Sequence, residues 1–319
     1  MSDTSTASEP PVVVGVDGSE HSLRALDWAL DAGERLGAPV VVAHVRSDAL
    51  QLGSARIASL GKEPELPDTV LNAVRTVVEE RGHTVPVRYV SLDGTVADAL
   101  PSAARGGRLL VTGSRGHGGF VTLLLGSTSR TLAMTAPCPL VVVPHEARTV
   151  EPGAADKGRV LLGLQTEETP DEVLAFAFET AQGRGVPLEA VTAFRLPPQP
   201  GALLAAPSPA LQVPPPLPEA DDSAEMLREA GREQEERLRP FAERWPGVRL
   251  VPSVVPGDAA GRLVEGSRDA GLVVVGRHHR HRIGSLLIGS VAHAVLHHAH
   301  CPVAVVPPPG GGTTGALGT

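Results

Sequence analysis

The sequence predicts an α/β protein of two tandem domains, each a parallel sheet with helices on both faces. Three observations carry this. Short apolar runs rich in β-branched residues alternate with stretches at helical spacing, the pattern of strand–helix–strand crossovers in a parallel sheet. The alternation occurs twice: Gly94, Gly113, Gly126 and Cys138 recur 163 residues later as Gly257, Gly276, Gly289 and Cys301. Finally, 319 residues with 42% hydrophobic content are enough for two full cores.

The elements follow in order. Residues 12–16 form a β-branched strand suited to burial on both faces. Ser19 is a candidate N-cap, and Leu23, Leu26 and Leu30 follow on one helical face. A strand is expected over 40–45, then a helix over 68–81 with Leu71, Val74 and Val78 inward. Next come a strand over 85–91, a helix over 95–105, a strand over 109–112, a short helix over 126–135 and a strand over 140–143. The second half repeats this with strands at 160–164, 188–194, 248–255, 272–275 and 303–306. Its helices are expected at 171–182, 221–244, 258–268 and after Gly289.

The first strands of the halves align at an offset of only 148 residues, so the second half carries an insertion between its second and third strands. It is visible as residues 196–218, which hold nine prolines and therefore cannot be sheet or helix interior. The domain limits read as a disordered N-terminus 1–11, a first domain 12–146, a linker 147–158, a second domain 159–307 and a disordered tail 308–319.

Composition narrows the function. A net charge of −8 argues against a counterion-displacing grip on nucleic acid. No apolar run approaches the roughly 20 residues that span a bilayer. The polar N-terminus has no signal-peptide pattern, which points to the cytoplasm. Cys138 and Cys301 occupy matching places in the repeats and read as buried small hydrophobes in a reducing compartment.

The first-half motifs carry the chemistry. In an open parallel sheet, ligands sit beyond the carboxyl ends of the strands. Three segments converge there: Gly15-Val16-Asp17-Gly18-Ser19, the strand end at Val45, and the loop from Gly113 to Ser127. Glycines admit a ligand close to the backbone, and successive N–H groups ahead of a helix make an anion site. Gly126, Ser127 and Thr128 open such a helix. Asp17 can accept hydrogen bonds from a ribose hydroxyl or an amino group.

Gly113, Gly116, Gly126 and Ser127, spaced Gly-x2-Gly-x9-Gly-Ser, together with Val16 to Ser19 and His44-Val45, resemble the ATP-binding branch of the universal stress protein family. The resemblance spans nearly the whole chain in tandem. It implies Rossmann-like (HUP-type) domains with five-stranded sheets, strand order 3-2-1-4-5, and fifth strands that pair the halves as a pseudo-dimer. It implies that Gly15, Val16, Asp17 and Val45 contact the adenosine end. Gly113, Ser114, Arg115, Gly116, Gly126, Ser127 and Thr128 would surround ribose and phosphates. The implied cofactor is ATP, with Mg2+ carried by the nucleotide.

The second half departs from this pattern. Gln165, Phe194 and His279 stand where Asp17, Val45 and Gly116 stand in the first. Gly163, Gly276, Gly289 and Ser290 persist and would form at most a weaker second site. The run 277–282 reads as a solvated basic loop. His293, His297 and His300 recur at helical spacing without evident carboxylate or thiolate partners, so no metal is assigned, and no catalytic residue is assigned either. The expected role is nucleotide-dependent regulation in a stress response through an unidentified protein client; association of two chains is left open. The alternatives are a nucleotide-independent scaffold and a weak ATPase.

Overall fold

The computed structural model of the protein describes residues 9–46, 67–116, 125–144, 158–194, 220–277 and 288–309. The Pro-rich run 196–218 and His278 to Arg282 lie outside these residues, as do most of the linker and the two termini.

The first half runs β1 (Val12–Gly15), α1 (Glu20–Leu36), β2 (Val40–Arg46), α2 (Thr69–Arg81), β3 (Val87–Asp93), α3 (Val96–Ala103), β4 (Leu109–Gly113), α4 (Ser127–Thr135) and β5 (Leu140–Val143). The second runs β6 (Arg159–Gly163), α5 (Asp171–Arg184), β7 (Leu188–Phe194), α6 (Ala220–Arg244), β8 (Leu250–Pro256), α7 (Ala259–Gly266), β9 (Ala270–Gly276), α8 (Ser290–His298) and β10 (Val303–Val306). Element order agrees with the sequence reading, and boundaries shift by at most two residues. The third strands, β3 and β8, start two residues later than expected; before β8, the Val248 amide is still spent on the turn, donating to the Trp245 carbonyl at 3.0 Å. The helices expected from 68 and 258 start one residue later, because Asp68 and Asp258 are N-caps whose carboxylates accept from the Leu71 and Gly261 amides.

All ten strands join one sheet in the order β3-β2-β1-β4-β5-β10-β9-β6-β7-β8. Pairing is parallel within each half and antiparallel only between β5 and β10, with Val303 opposite Val142 and Val305 opposite Leu140. The carboxyl edges of the two half-sheets therefore face opposite ways. Strands β3 and β8 are the outer edges, and β8 carries Pro252 and Pro256.

Strands buried on both faces explain the runs of Val and Leu. One face packs α1, α2, α5 and α6 around Val12, Leu26, Leu30, Val74, Leu162 and Phe178. The other packs α3, α4, α7 and α8 around Leu110, Leu132, Leu140, Leu263 and Val295. The few aromatics are concentrated in the second half: Phe178, Phe241 and Trp245 stack with centroids 5.6 to 6.1 Å apart.

The halves also meet through side chains. Arg184 of α5 lies 5.6 Å from the centroid of the Trp28 ring on α1. Arg277, expected in a solvated loop, is instead buried at 6% exposure. Its Nη1 donates to the Met134 and Ala136 carbonyls of the first half, each at 2.9 Å. Burial pulls its pKa below the ordinary arginine value. Cys138 and Cys301 are buried free thiols, each with its pKa pushed up to about 12 by burial.

Candidate functional site

The β1–α1 turn is built by short-range chemistry. Gly18 adopts φ 83°, a left-handed conformation that favours glycine. This lets the chain reverse between Asp17 and Ser19. The Ser19 hydroxyl caps α1 by accepting from the Ser22 amide at 3.3 Å. It also donates to Asp17 Oδ1 at 2.6 Å, and the Ser19 amide donates to the same oxygen at 3.0 Å. The helix cap thus orients the carboxylate.

The glycine loop is anchored at both described ends. The Ser114 amide donates to the Val143 carbonyl and the Gly126 amide donates to the Ser114 carbonyl, each at 2.8 Å. Ser129 Oγ, buried, donates to the Gly113 carbonyl at 2.8 Å. Gly126 is the N-cap of α4 and supplies no side-chain cap. The first-turn amides at Ser127 and Thr128 therefore lack the usual side-chain acceptor, and the helix dipole adds positive potential there.

Between these segments, at the carboxyl edge of the first half, lies a cavity of about 460 Å3. Of the residues singled out from sequence, Gly15, Val16, Asp17, Val45, Gly113, Arg115, Gly116, Gly126, Ser127 and Thr128 line it. Ser114 does not: it is buried, with its Oγ unpartnered, and contributes backbone bonds only. The glycines act through close approach rather than through unusual φ, since none of the four lining glycines has positive φ. A Cβ at Gly116 would lie 2.6 Å from Asp17 Oδ2, inside the cavity wall. Gly113 answers to packing as well: a Cβ there would lie 2.7 Å from the His21 carbonyl of α1. Gly15 faces Leu100, whose methyl would be 2.7 Å from an added Cβ.

Sequence reasoning did not single out Ser22, Ala43, Val96, Leu100, Thr112 and Ser129, which also line the cavity. Val96 and Leu100 lie one turn apart on α3, the helix that covers this edge. That amphipathic spacing was the available signal. His44, quoted only as part of the strand end, has a defined role in the wall. Its Nδ1 lies 2.7 Å from Asp68 Oδ2, and the Ser91 hydroxyl donates to the same oxygen at 2.8 Å. Burial raises the Asp68 pKa, but the bonds from His44, the Leu71 amide and Ser91 outweigh it, and the net shift is downward. An ionised Asp68 accepts only, so Nδ1 carries the proton and the imidazole is fixed in one tautomer.

The lining suits a phosphate-bearing ligand. Uncapped helix amides suit phosphate, and Arg115 adds a guanidinium whose buried Nε has no partner. Gly116 leaves open the space that a side chain would fill.

The second half is arranged differently. A Cβ at Gly163 would meet Leu263 at 2.8 Å, as Gly15 meets Leu100. Gly289 is again an N-cap without a side-chain cap, ahead of Ser290. The β6–α5 turn, however, closes on itself: the Gln165 amide donates to Thr169 Oγ1 at 2.9 Å, and the Gln165 carbonyl accepts from the Glu168 and Thr169 amides. Phe194 stands half-buried at the end of β7, but the strand registers correct its expected place: paired with Pro256 as Arg46 is with Asp93, it matches Arg46, and Ala193 matches Val45. His279 lies outside the described residues. The His293 and His297 rings are 4.5 Å apart, and no group of three metal-ligating side chains occurs among the described residues. No helix among them is long and apolar enough to cross a membrane.

Fold and site thus define a class: tandem Rossmann-like domains joined edge to edge, with a phosphate-suited crevice in one of them. The profile of the Universal stress protein family matches residues 10–144 and 158–307, and the chain belongs to that family. It is 34% identical over 301 residues to Universal stress protein Rv2005c of Mycobacterium tuberculosis, covering 92% of this chain and 96% of the relative. It is 30% identical over 312 residues to a universal stress protein of Mycolicibacterium smegmatis, covering 95% and 99%. Among solved structures, a universal stress protein from Archaeoglobus fulgidus superposes with a TM-score of 0.56 at 17% identity, covering 93% of this chain and 98% of that one. The functionally unknown protein PA1789 from Pseudomonas aeruginosa gives 0.58 at 16% identity, covering 94% and 93%. These two structures share the fold.

Proposed function

We propose that the first half binds an adenine nucleotide, ATP in the first instance, and that the chain is a nucleotide-dependent regulator of a stress response in the cytoplasm. One observation carries the reading. A single cavity gathers the uncapped N-terminus of α4, the Arg115 guanidinium and the oriented Asp17 carboxylate. Phosphates would meet the amides of Ser127 and Thr128 and the Arg115 side chain, with Mg2+ arriving on the nucleotide. Asp17 would receive ribose hydroxyls, and Val45 and His44 would border the base. Binding regulates only if the nucleotide prefers one of two states of the chain.

The test is mass spectrometry of small molecules released from freshly purified protein, followed by calorimetric titration with ATP and GTP. One equivalent of adenine nucleotide per chain, with ATP preferred, is expected. No released nucleotide, no heat and no thermal shift would reject the reading in favour of a scaffold that works without one.

A further inference from the structure

The offset that aligns the two glycine loops equates Arg277 with Ser114. Both side chains are buried, but they behave differently. Ser114 Oγ has no partner. Arg277 leaves its own half, and its Nη1 donates to the Met134 and Ala136 carbonyls at the end of α4. The last carbonyls of a helix have no partner within it, and a cation there complements the negative end of the dipole. Helix α4 has no basic residue in its own last turn. Arg277 is itself firmly based: its amide donates to the Val306 carbonyl at 2.8 Å, and β10, which bears that carbonyl, pairs with β5.

Helix α4 has nine residues, so its two ends stand only about 13 Å apart. Its near end, with Ser127 and Thr128, is a wall of the cavity. That end is tied within the first half through Ser129 Oγ to the Gly113 carbonyl and through the Gly126 amide to the Ser114 carbonyl. Its far end is held from the second half. We infer that Arg277 is a positioning residue for the first-half cavity, through which the second half sets where the amides of α4 stand. This rests on the nucleotide reading for its consequence, but not for its geometry. It gives the second half a task that its altered loop does not require: a side chain from that loop is redirected to brace the helix of the other site.

The test uses the full chain with Arg277→Met, which keeps the aliphatic stem and removes the donors, and Arg277→Lys, which keeps the charge. Amide hydrogen exchange is measured without ligand, and ATP affinity by calorimetry. Arg277→Met should speed exchange of the α4 amides about tenfold while leaving α8 and the central strands within about twofold. It should weaken ATP binding about tenfold, and Arg277→Lys should recover most of both losses. Uniform acceleration across both halves would mean general destabilisation and would overturn the inference. Unchanged α4 exchange, or faster exchange with undiminished affinity, would overturn it too. If the unmodified chain binds no ATP, the nucleotide reading falls, and α4-selective exchange alone decides whether Arg277 holds the helix.

Discussion

The two halves share a fold, a strand order and a helix opened by an uncapped glycine, yet they close their first turns in different ways. In the first half, Gly18 permits a tight reversal that turns the Asp17 carboxylate toward the cavity wall under the control of Ser19. In the second, Gln165 spends its amide and carbonyl on the turn itself, and the helix that follows is entered through Pro170. Duplication therefore preserved the framework and released the site. The comparison teaches that the glycines of such a loop are of two kinds, those that admit a ligand and those that admit a neighbouring helix.

The sharpest way to break that comparison is Gly116→Val. Its added Cβ lands against Asp17 inside the cavity, and ATP affinity should fall on the order of 100-fold, about 2.7 kcal/mol, with the melting temperature little changed. Undiminished affinity by calorimetry would show that this glycine is not of the ligand kind. Next in size is the contrast between Gly113→Ala and Gly276→Ala. The first meets the His21 backbone at 2.7 Å and should cost about 1–3 kcal/mol in denaturant unfolding. The second meets a Val173 methyl at 3.3 Å and Pro170 Cδ at 3.8 Å, both side-chain atoms, and should cost less than about 1 kcal/mol. Equal costs would remove the distinction.

A smaller effect belongs to the first half alone. Asp68 caps α2 and holds His44, and its folded-state pKa lies below the ordinary 3.8. A depressed carboxylate contributes stability that is present above the unfolded pKa and lost as pH falls through the folded one. Asp68→Asn should thus be less stable than the parent by about 1 kcal/mol near neutral pH, with the gap closing below about pH 4. A gap that persists undiminished at pH 2 would show that packing, not charge, is responsible. The smallest contrast is one in which the halves should agree. Both buried thiols should resist a thiol reagent at pH 8 in native protein and react together on unfolding.

Much of the architecture was legible in the sequence because parallel strands buried on both faces leave continuous Val and Leu runs, as at 12–14 and 272–275. The cavity lining was legible wherever a glycine or a cap signalled it, as at Gly126 and at Asp17 beside the Ser19 cap. Ser114 misled because loop proximity says nothing about which way a side chain turns. Val96 and Leu100 were missed because cavity-facing and core-facing residues of an amphipathic helix share one periodicity. Arg277 was the largest surprise: within a run of His and Arg, local composition reads as solvent-facing, and only the antiparallel joining of β5 to β10 brings the far carbonyls within its reach.

The prolines of β8 set a limit on the sheet as a whole. The Arg249 carbonyl and the Gly257 amide both bond to β7, so by the alternation of a parallel strand the nitrogens at 252 and 256 point outward. Proline leaves both without a hydrogen to offer. A stray extended chain arriving at that margin finds half of the outward-facing donors missing, and the ribbon of ten strands is guarded on that side against growing an eleventh.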